Sequence, residues 1–405
     1  MDDTPTASRN AVDMKPNPST PTFSTLTTSA AISRCTIVAV LAGAAVVSAE
    51  PPQSPAAVKL AVRETVLAEI PEDVEWKSVV ISRDAAHVAY VRSKDNSSFV
   101  VLDGVPQSKS YPSIGATSIR FSPDGKQLAY VVSTGPPILT ALDFAQQTQR
   151  LHFSFTTSLI DPLVTAVRVV VGATEGPTLS HIDANSMVFS PDGKRFGYVA
   201  RRNERWRVVI DGNEQSGEYD DVAPYGQGPT IHFSPDSKRV AYVGLRREAD
   251  SSPLGYRFHR FVVVDGNKGK EYDEVGYGAS LHDSIVFSPD SKQVAFVAAT
   301  RNGKETRMFP VIDGVEGDSK KGIRWLDYTP DGGRMVMMTF REQPEPGVLT
   351  RMAVSVAGMP AKEYTQLRAP VYLSPDGSRI AFVNLPLARR SEGSKASVVV
   401  DNTEG

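Results

Sequence analysis

MVFSPDGKRFGYVARRNERWRVVIDGNEQSGEYD, residues Met187–Asp220, decides how the chain is read. Met187–Phe189 is a short apolar run ended by Ser190-Pro191-Asp192-Gly193. Pro at the second turn position and Gly at the fourth suit a type I turn, and Asp bonds nearby backbone amides. Arg195–Ala200 alternates large and small residues as a strand does. Trp206–Ile210 is β-branched and apolar on both faces, which predicts burial on both sides. Asp211-Gly212 is a hairpin signal, and Glu218-Tyr219-Asp220 reads as a short fourth strand. Four antiparallel strands in about 45 residues make one propeller blade.

The phrase recurs. Its turn aspartates are Asp84, Asp124, Asp192, Asp236, Asp290, Asp331 and Asp376, one per unit. The third-strand Asp-Gly returns as Asp103-Gly104, Asp265-Gly266 and Asp313-Gly314, and weakens to Asp401-Asn402. Units four and five carry Ser237 and Ser291 where unit three has Gly193. FSPDGKQLAYV, FSPDGKRFGYV, FSPDSKRVAYV, FSPDSKQVAFV and LSPDGSRIAFV resemble the WD-repeat-like units of the β-propeller family of bacterial exported proteins, and are similar to those of the TolB propeller. The resemblance covers roughly residues 60 to 405 and implies fold more than function, because binding scaffolds and peptidase propeller domains share it.

The expected fold is therefore all-β: a seven-bladed propeller of four-stranded antiparallel blades over residues 62–405. The last unit stops at Asp401-Asn402-Thr403-Glu404-Gly405. Arg63–Ile70 is expected to supply its outer strand and so close the ring without an open edge.

Residues 1–34 are Pro, Ser and Thr rich and read as a disordered leader. Arg34 then precedes CTIVAVLAGAAVV. This uncharged run ends Val47-Ser48-Ala49, so residues 35–49 have the form of a secretory signal. A bilayer span needs about 20 residues, which makes the run a short anchor if it is retained. Residues 50–61 are a Pro/Ala linker. The expected location is periplasmic or extracellular, with membrane contact only through an uncleaved 35–49 segment, and the expected state is a monomer.

A net charge of −2 over 405 residues gives no global case for nucleic acid. One cysteine, Cys35, excludes a disulfide framework. No Gly-x-Ser-x-Gly elbow, phosphate-cradling Gly-rich loop or His/Cys metal cluster occurs, so neither cofactor nor metal is expected. The repeated aspartates read as turn residues, since a catalytic site is needed once and a turn in every blade.

Individuality lies elsewhere. Two places before each turn Ser or Thr stand Val80, Arg120, Val188, His232, Val286, Asp327 and Tyr372, a mixed strand face turned toward a propeller's central channel. Four places before stand Ser78, Ser118, Ser186, Thr230, Ser284, Trp325 and Pro370, expected to edge the channel mouth. The loops entering the first strands hold Tyr225, Tyr277, His282 and Arg324. Those between second and third strands carry an arginine excess that suits an acidic partner. The binding candidates are Arg120, Tyr225, His232, Tyr277, His282, Arg324, Trp325, Asp327 and Tyr372. The expected function is a non-catalytic exported scaffold that binds a protein or cell-envelope component through its long-loop face. A hydrolase or lyase at the channel mouth, and a carbohydrate binder stacking on Tyr225, Tyr277 and Trp325, are the alternatives.

Overall fold

The structure is a computed structural model. It describes residues 34–43, 61–134, 166–222, 230–251, 255–276, 285–303, 305–320, 322–340, 351–357, 361–365, 367–374, 379–384, 397–400 and 403–404. Among these the regular structure is almost wholly β; a 3-10 turn at Trp76–Ser78 is the helical exception. Seven antiparallel sheets of four or five strands follow one another along the chain, and a two-stranded ribbon precedes them. No helix of the described residues is long and apolar enough to cross a membrane.

In the described residues the turn seen in the sequence joins the first strand of a sheet to its second. Ser122 Oγ donates to Asp124 Oδ1 at 2.6 Å and accepts the Gln127 amide at 2.9 Å, while the Lys126 amide reaches Asp124 at 3.2 Å. Ser190/Asp192, Ser234/Asp236 and Ser288/Asp290 repeat this, and Thr329/Asp331 does so with a threonine. The serine hydroxyl is the main reason these carboxyls lie below the ordinary aspartate range, Asp236 at about 2. The aspartates are turn locks, as the repetition implied; Asp376 lies outside the described residues.

Among the described residues, the one after each turn aspartate has positive φ. Units four and five place serine there, with Ser237 at 65° and Ser291 at 63°. These are links rather than worn glycines. Ser237 Oγ accepts the Asp192 amide of the preceding sheet at 3.0 Å, and Ser291 Oγ accepts that of Asp236 at 2.9 Å. An arginine strengthens each link. Arg239 Nε donates to Asp265 at 2.9 Å, its Nη1 reaches the carbonyls of Ser291 and Lys292, and its guanidinium lies 5.6 Å over the Phe287 ring. Arg195 repeats this toward Ser237, Lys238 and Phe233. Arg239→Ala is expected to lower the unfolding free energy by about 1–2 kcal/mol, since three acceptors lose a charged donor and a ring loses its cover. Urea denaturation measures this, and an unchanged midpoint would show the strap to be idle.

The Asp-Gly pairs have positive φ at both residues, 52° and 79° at Asp211-Gly212, the type I′ geometry that matches strand twist. Their carboxylates also accept the first amide of the second strand, as Asp211 does from Phe196 at 2.9 Å. In the third unit the fourth strand follows at once, at Asn213–Glu214. The expected Glu218-Tyr219-Asp220 strand is reduced to a single bridge, Trp206↔Tyr219.

The core lies between sheets. Six apolar layers join the sheets in chain order. One sets Ala129, Val131 and Val169 against Met187, Phe189 and Tyr198; another sets Trp325, Val336 and Val354 against Ile380, Phe382 and Val399. Strands buried on both faces between successive sheets are what a β-propeller requires.

Two expectations are corrected. Ala61–Pro71 pairs with Arg34–Gly43, not with the last sheet. The last sheet completes itself with Thr403–Glu404, which turns back on Val399 and Val400. That edge is therefore taken, and no vacancy is left there for the N-terminal segment. Its end nonetheless packs on the face of the first sheet turned away from the second, with Ile70 and Val74 buried beside Val88, Tyr90 and Val101. The serines expected at the channel mouth are also elsewhere. Ser78, Ser118 and Ser186 are almost fully buried. Each donates to the carbonyl three residues back and accepts an amide from the second strand: Ser118 to Gly115 at 2.7 Å and from Val131 at 2.9 Å, for example. They fill the break in a split first strand. In the second, fourth and fifth sheets two short segments pair with one second strand, such as Ser113–Ile114 and Arg120–Phe121 with Leu128–Ser133.

Candidate functional site

The first strands run from the long-loop end to the turn end, so their residues order themselves along the inner edge. Near the turn end, Val80, Ile81, Arg83, Arg120, Phe121, Ser122, Pro123, Met187, Val188 and Phe189 line an open cavity of about 390 Å³. Val80, Arg120 and Val188 were assigned to the inward face from their place before the turn, and all three line it.

Arg120 is held by backbone alone. Its Nη1 donates to the carbonyls of Thr117 at 2.8 Å and Ile119 at 2.9 Å, and its Nη2 to Ala184 of the next sheet at 3.1 Å. Burial works against its charge, and Asp183 works for it. Three carbonyls fix the plane of the guanidinium without neutralising it.

Toward the loop end the strand His181–Phe189 carries His181 and Asp183, opposite Arg201 and Val199 of its neighbour. Asp183 accepts the Asn185 amide at 3.0 Å. Asp221, in the following sheet, accepts its own neighbour Val222 at 2.8 Å. Both carboxyls keep some solvent contact yet are packed by protein on most sides, as groups in a recess are. That desolvation pushes both above the ordinary aspartate range, and the Asp183 charge pushes Asp221 further. Burial pushes the His181 imidazole down, against the pull of Asp183. The ring of His181 meets that of Trp206 edge-on at 5.5 Å. Two crowded carboxyls and an imidazole whose protonation burial disfavours thus form one group, of which Asp183 acts on Arg120 through space; Arg120 itself lines the apolar cavity.

The other expected site residues do not assemble here. Trp325 is 5% exposed and belongs to the layer between sheets six and seven, so it is no exposed platform. Its place four before the turn Thr is occupied by buried small residues in other units, and here the indole fills that space. Arg324 beside it is half-buried. His232 is buried. Asp327 is half-buried and accepts the Tyr328 amide at 2.7 Å. Tyr372 is exposed on the first strand of the last sheet. Tyr225, Tyr277 and His282 lie outside the described residues, as do residues 135–165. Asp183 and Asp221 escaped the sequence reading; their one signal is an acidic residue set among apolar ones where a first strand begins.

The arginine excess of the long loops is largely compensated. Arg202 pairs with Glu214, Arg205 with Asp220, Arg246 with Glu271, Arg257 with Glu248, Arg301 with Glu274 and Arg307 with Glu305. Arg247 instead lies 5.2 Å over the Tyr256 ring.

No family model matches the chain, and no curated protein matches it. Solved structures do. A eukaryotic initiation factor is 10% identical, with a TM-score of 0.38 over 78% of this chain and 74% of that one. The β-propeller domain of the Trilobed protease from Pyrococcus furiosus is 12% identical, with a TM-score of 0.30 over 79% and 93%. TolB from Acinetobacter baumannii is 14% identical, with a TM-score of 0.28 over 58% of this chain and 57% of TolB. The sheet order and intersheet layers described above define the class as a β-propeller.

Proposed function

We propose that this chain is an exported, seven-bladed β-propeller that serves as a non-catalytic binding scaffold, and that a protein or cell-envelope component docks at the end opposite the turns. The observation that supports this is the recess of Asp183, Asp221 and His181. Folding has left two carboxyls where ionisation is costly. Desolvated, mutually repelling charges of this kind mark functional sites. With the loop arginines paired to carboxylates, the partner chemistry this recess favours is a basic group, a lysine or arginine side chain, rather than the acidic surface suggested by the arginine count. Export rests on Arg34 and the apolar run ending at Ala49. Sequencing of the N-terminus of envelope protein should begin at Glu50.

The test of docking is capture from an envelope extract. Wild type, the double variant Asp183→Asn/Asp221→Asn and Lys194→Ala are compared. The double variant is expected to lose the captured species at least tenfold, while Lys194→Ala, by a turn, retains it. The reverse result would place docking at the turn end.

The same carboxyls give a pH prediction. A carboxyl raised in the folded state binds its proton more tightly there than in the unfolded chain. Its cost to stability is absent below the unfolded value near 3.8 and complete above the folded one. Asp183→Asn keeps an acceptor for the Asn185 amide and removes the charge. It is expected to raise the melting temperature at pH 7.5 by roughly 1–2 °C, with the gain vanishing by pH 3.5. An equal gain at both values would mean that the charge is not the cause.

A further inference from the structure

The cavity at the turn end differs in chemistry from the acidic recess and is independent of partner docking there. Seven of its ten lining residues are apolar: Val80, Ile81, Phe121, Pro123, Met187, Val188 and Phe189. The remaining three are Ser122, whose hydroxyl is consumed by the turn, and two arginines. No carboxylate lines it. Arg83 is exposed at the rim and makes no ion pair among the described residues. Arg120 lies in the wall and spends its three hydrogen bonds on carbonyls, leaving the Nε–H and the second Nη2–H uncommitted. Elsewhere the described arginines commonly bond a carboxylate; Arg120 feels Asp183 only through space, and Arg83 has no ion pair among the described residues.

A buried-edge cation without a hydrogen-bonded counter-charge is expensive in isolation. Here it is also rigid, because three carbonyls set the guanidinium plane before anything binds. A fixed planar donor suits a planar acceptor, and carboxylate is the simplest. Arginine does not exchange its proton near neutral pH, so this arrangement orients an anion rather than transforming it. At about 390 Å³ the cavity sits at the small end of the roughly 300–1,000 Å³ typical of ligand pockets. It has room for a medium-length chain or a single ring, with apolar walls for the body and arginines for the head.

We propose that this cavity binds a small apolar monocarboxylate, its tail among Phe121, Met187, Val188 and Phe189 and its carboxylate on Arg120, with Arg83 closing over the rim.

The test is isothermal titration of the purified full-length chain with octanoate, 1-octanol, octylamine and acetate. Octanoate is expected to bind saturably at one site. Octanol should bind at least tenfold more weakly, since it lacks the charge, and acetate likewise, since it lacks the tail; octylamine should not bind. Arg120→Gln should weaken octanoate at least tenfold and leave octanol unchanged. Because Arg120 also ties two sheets together, Arg83→Glu is the deciding variant: an exposed residue without a partner should tolerate the change, and reversing its charge should weaken octanoate about tenfold. Absence of saturable octanoate binding, equal binding of octylamine, or indifference to Arg83→Glu would overturn the proposal.

Discussion

Gly244→Val should be the most damaging single substitution considered, lowering the unfolding free energy by about 3 kcal/mol. Gly244 stands in the middle of Val240–Ala249, directly opposite Phe261 of the third strand. A Cβ at this position would lie 2.7 Å from the Phe261 ring and 2.9 Å from that of Tyr219. Neither ring can yield easily. Phe261 is 3% exposed, Tyr219 is 6% exposed, and the Tyr219 hydroxyl is bonded to Tyr242 at 3.0 Å in the layer between sheets three and four. The glycine is there because two aromatic rings cover it, and the added methyls must displace rings that seal two sheets together. Gly255→Ala is the control: nothing lies within 4 Å of its Cβ, so its cost is confined to the strain of φ +73°, about 1 kcal/mol. Comparable urea midpoints for the two variants would mean that the rings move aside, and that this intersheet layer is looser than its burial implies.

The same residue shows what was legible in the sequence. FSPDSKRVAYVGL announces a turn and a strand, because both depend on neighbours a few places away. Asp236 reaches its serine and the Lys238 amide within one tight turn. Such local chemistry repeats, and repetition revealed the blades. That Gly244 must be glycine depends on Tyr219 and Phe261, which arrive from twenty-five residues before and seventeen after. The role of Trp325 depended likewise on which sheet it would face. An indole four places before the turn reads as a recognition residue until the seventh sheet is laid against it. The N-terminal segment failed for a related reason. Strand pairing over long separations is set by which backbone edge is free, and Thr403–Glu404 had already taken the edge assigned to Arg63–Ile70. Arg120 was found because its period along the strand names its face. Asp183 was missed because the bulge between Asp183 and Val188 breaks that period, and Asp221 because its two-residue strand stands apart from Ile231–Phe233.

That bulge carries the second large effect. Ser186→Ala should lower the unfolding free energy by about 2–3 kcal/mol, the cost of leaving buried backbone groups without partners. The serine is 1% exposed. Its Oγ donates to the Asp183 carbonyl at 2.6 Å and accepts the Val199 amide at 2.7 Å. Between Asp183 and Val188 the first strand loses register with the second, so neither backbone group has the partner a regular ladder would give it. Alanine removes the hydroxyl that stands in for that ladder and leaves too little space for a water to replace it. Ser118→Ala, with the same two bonds in the second sheet, should cost a similar amount, whereas Ser180→Ala, whose hydroxyl reaches the Arg201 carbonyl in an exposed bond, should cost a few tenths of a kcal/mol. Ser186 also connects stability to the recess. By holding the Asp183 carbonyl it fixes the strand from which that carboxyl projects, and the Ser186 amide further eases its ionisation. The alanine variant should therefore lose binding of a basic partner beyond what its reduced folded fraction explains. Ser186→Thr, which keeps the hydroxyl, should recover most of the stability if the added methyl is accommodated. Should the alanine variant unfold at the wild-type urea concentration, the bulge is supported by its neighbours rather than by its serine, and the recess beside it is free to relax.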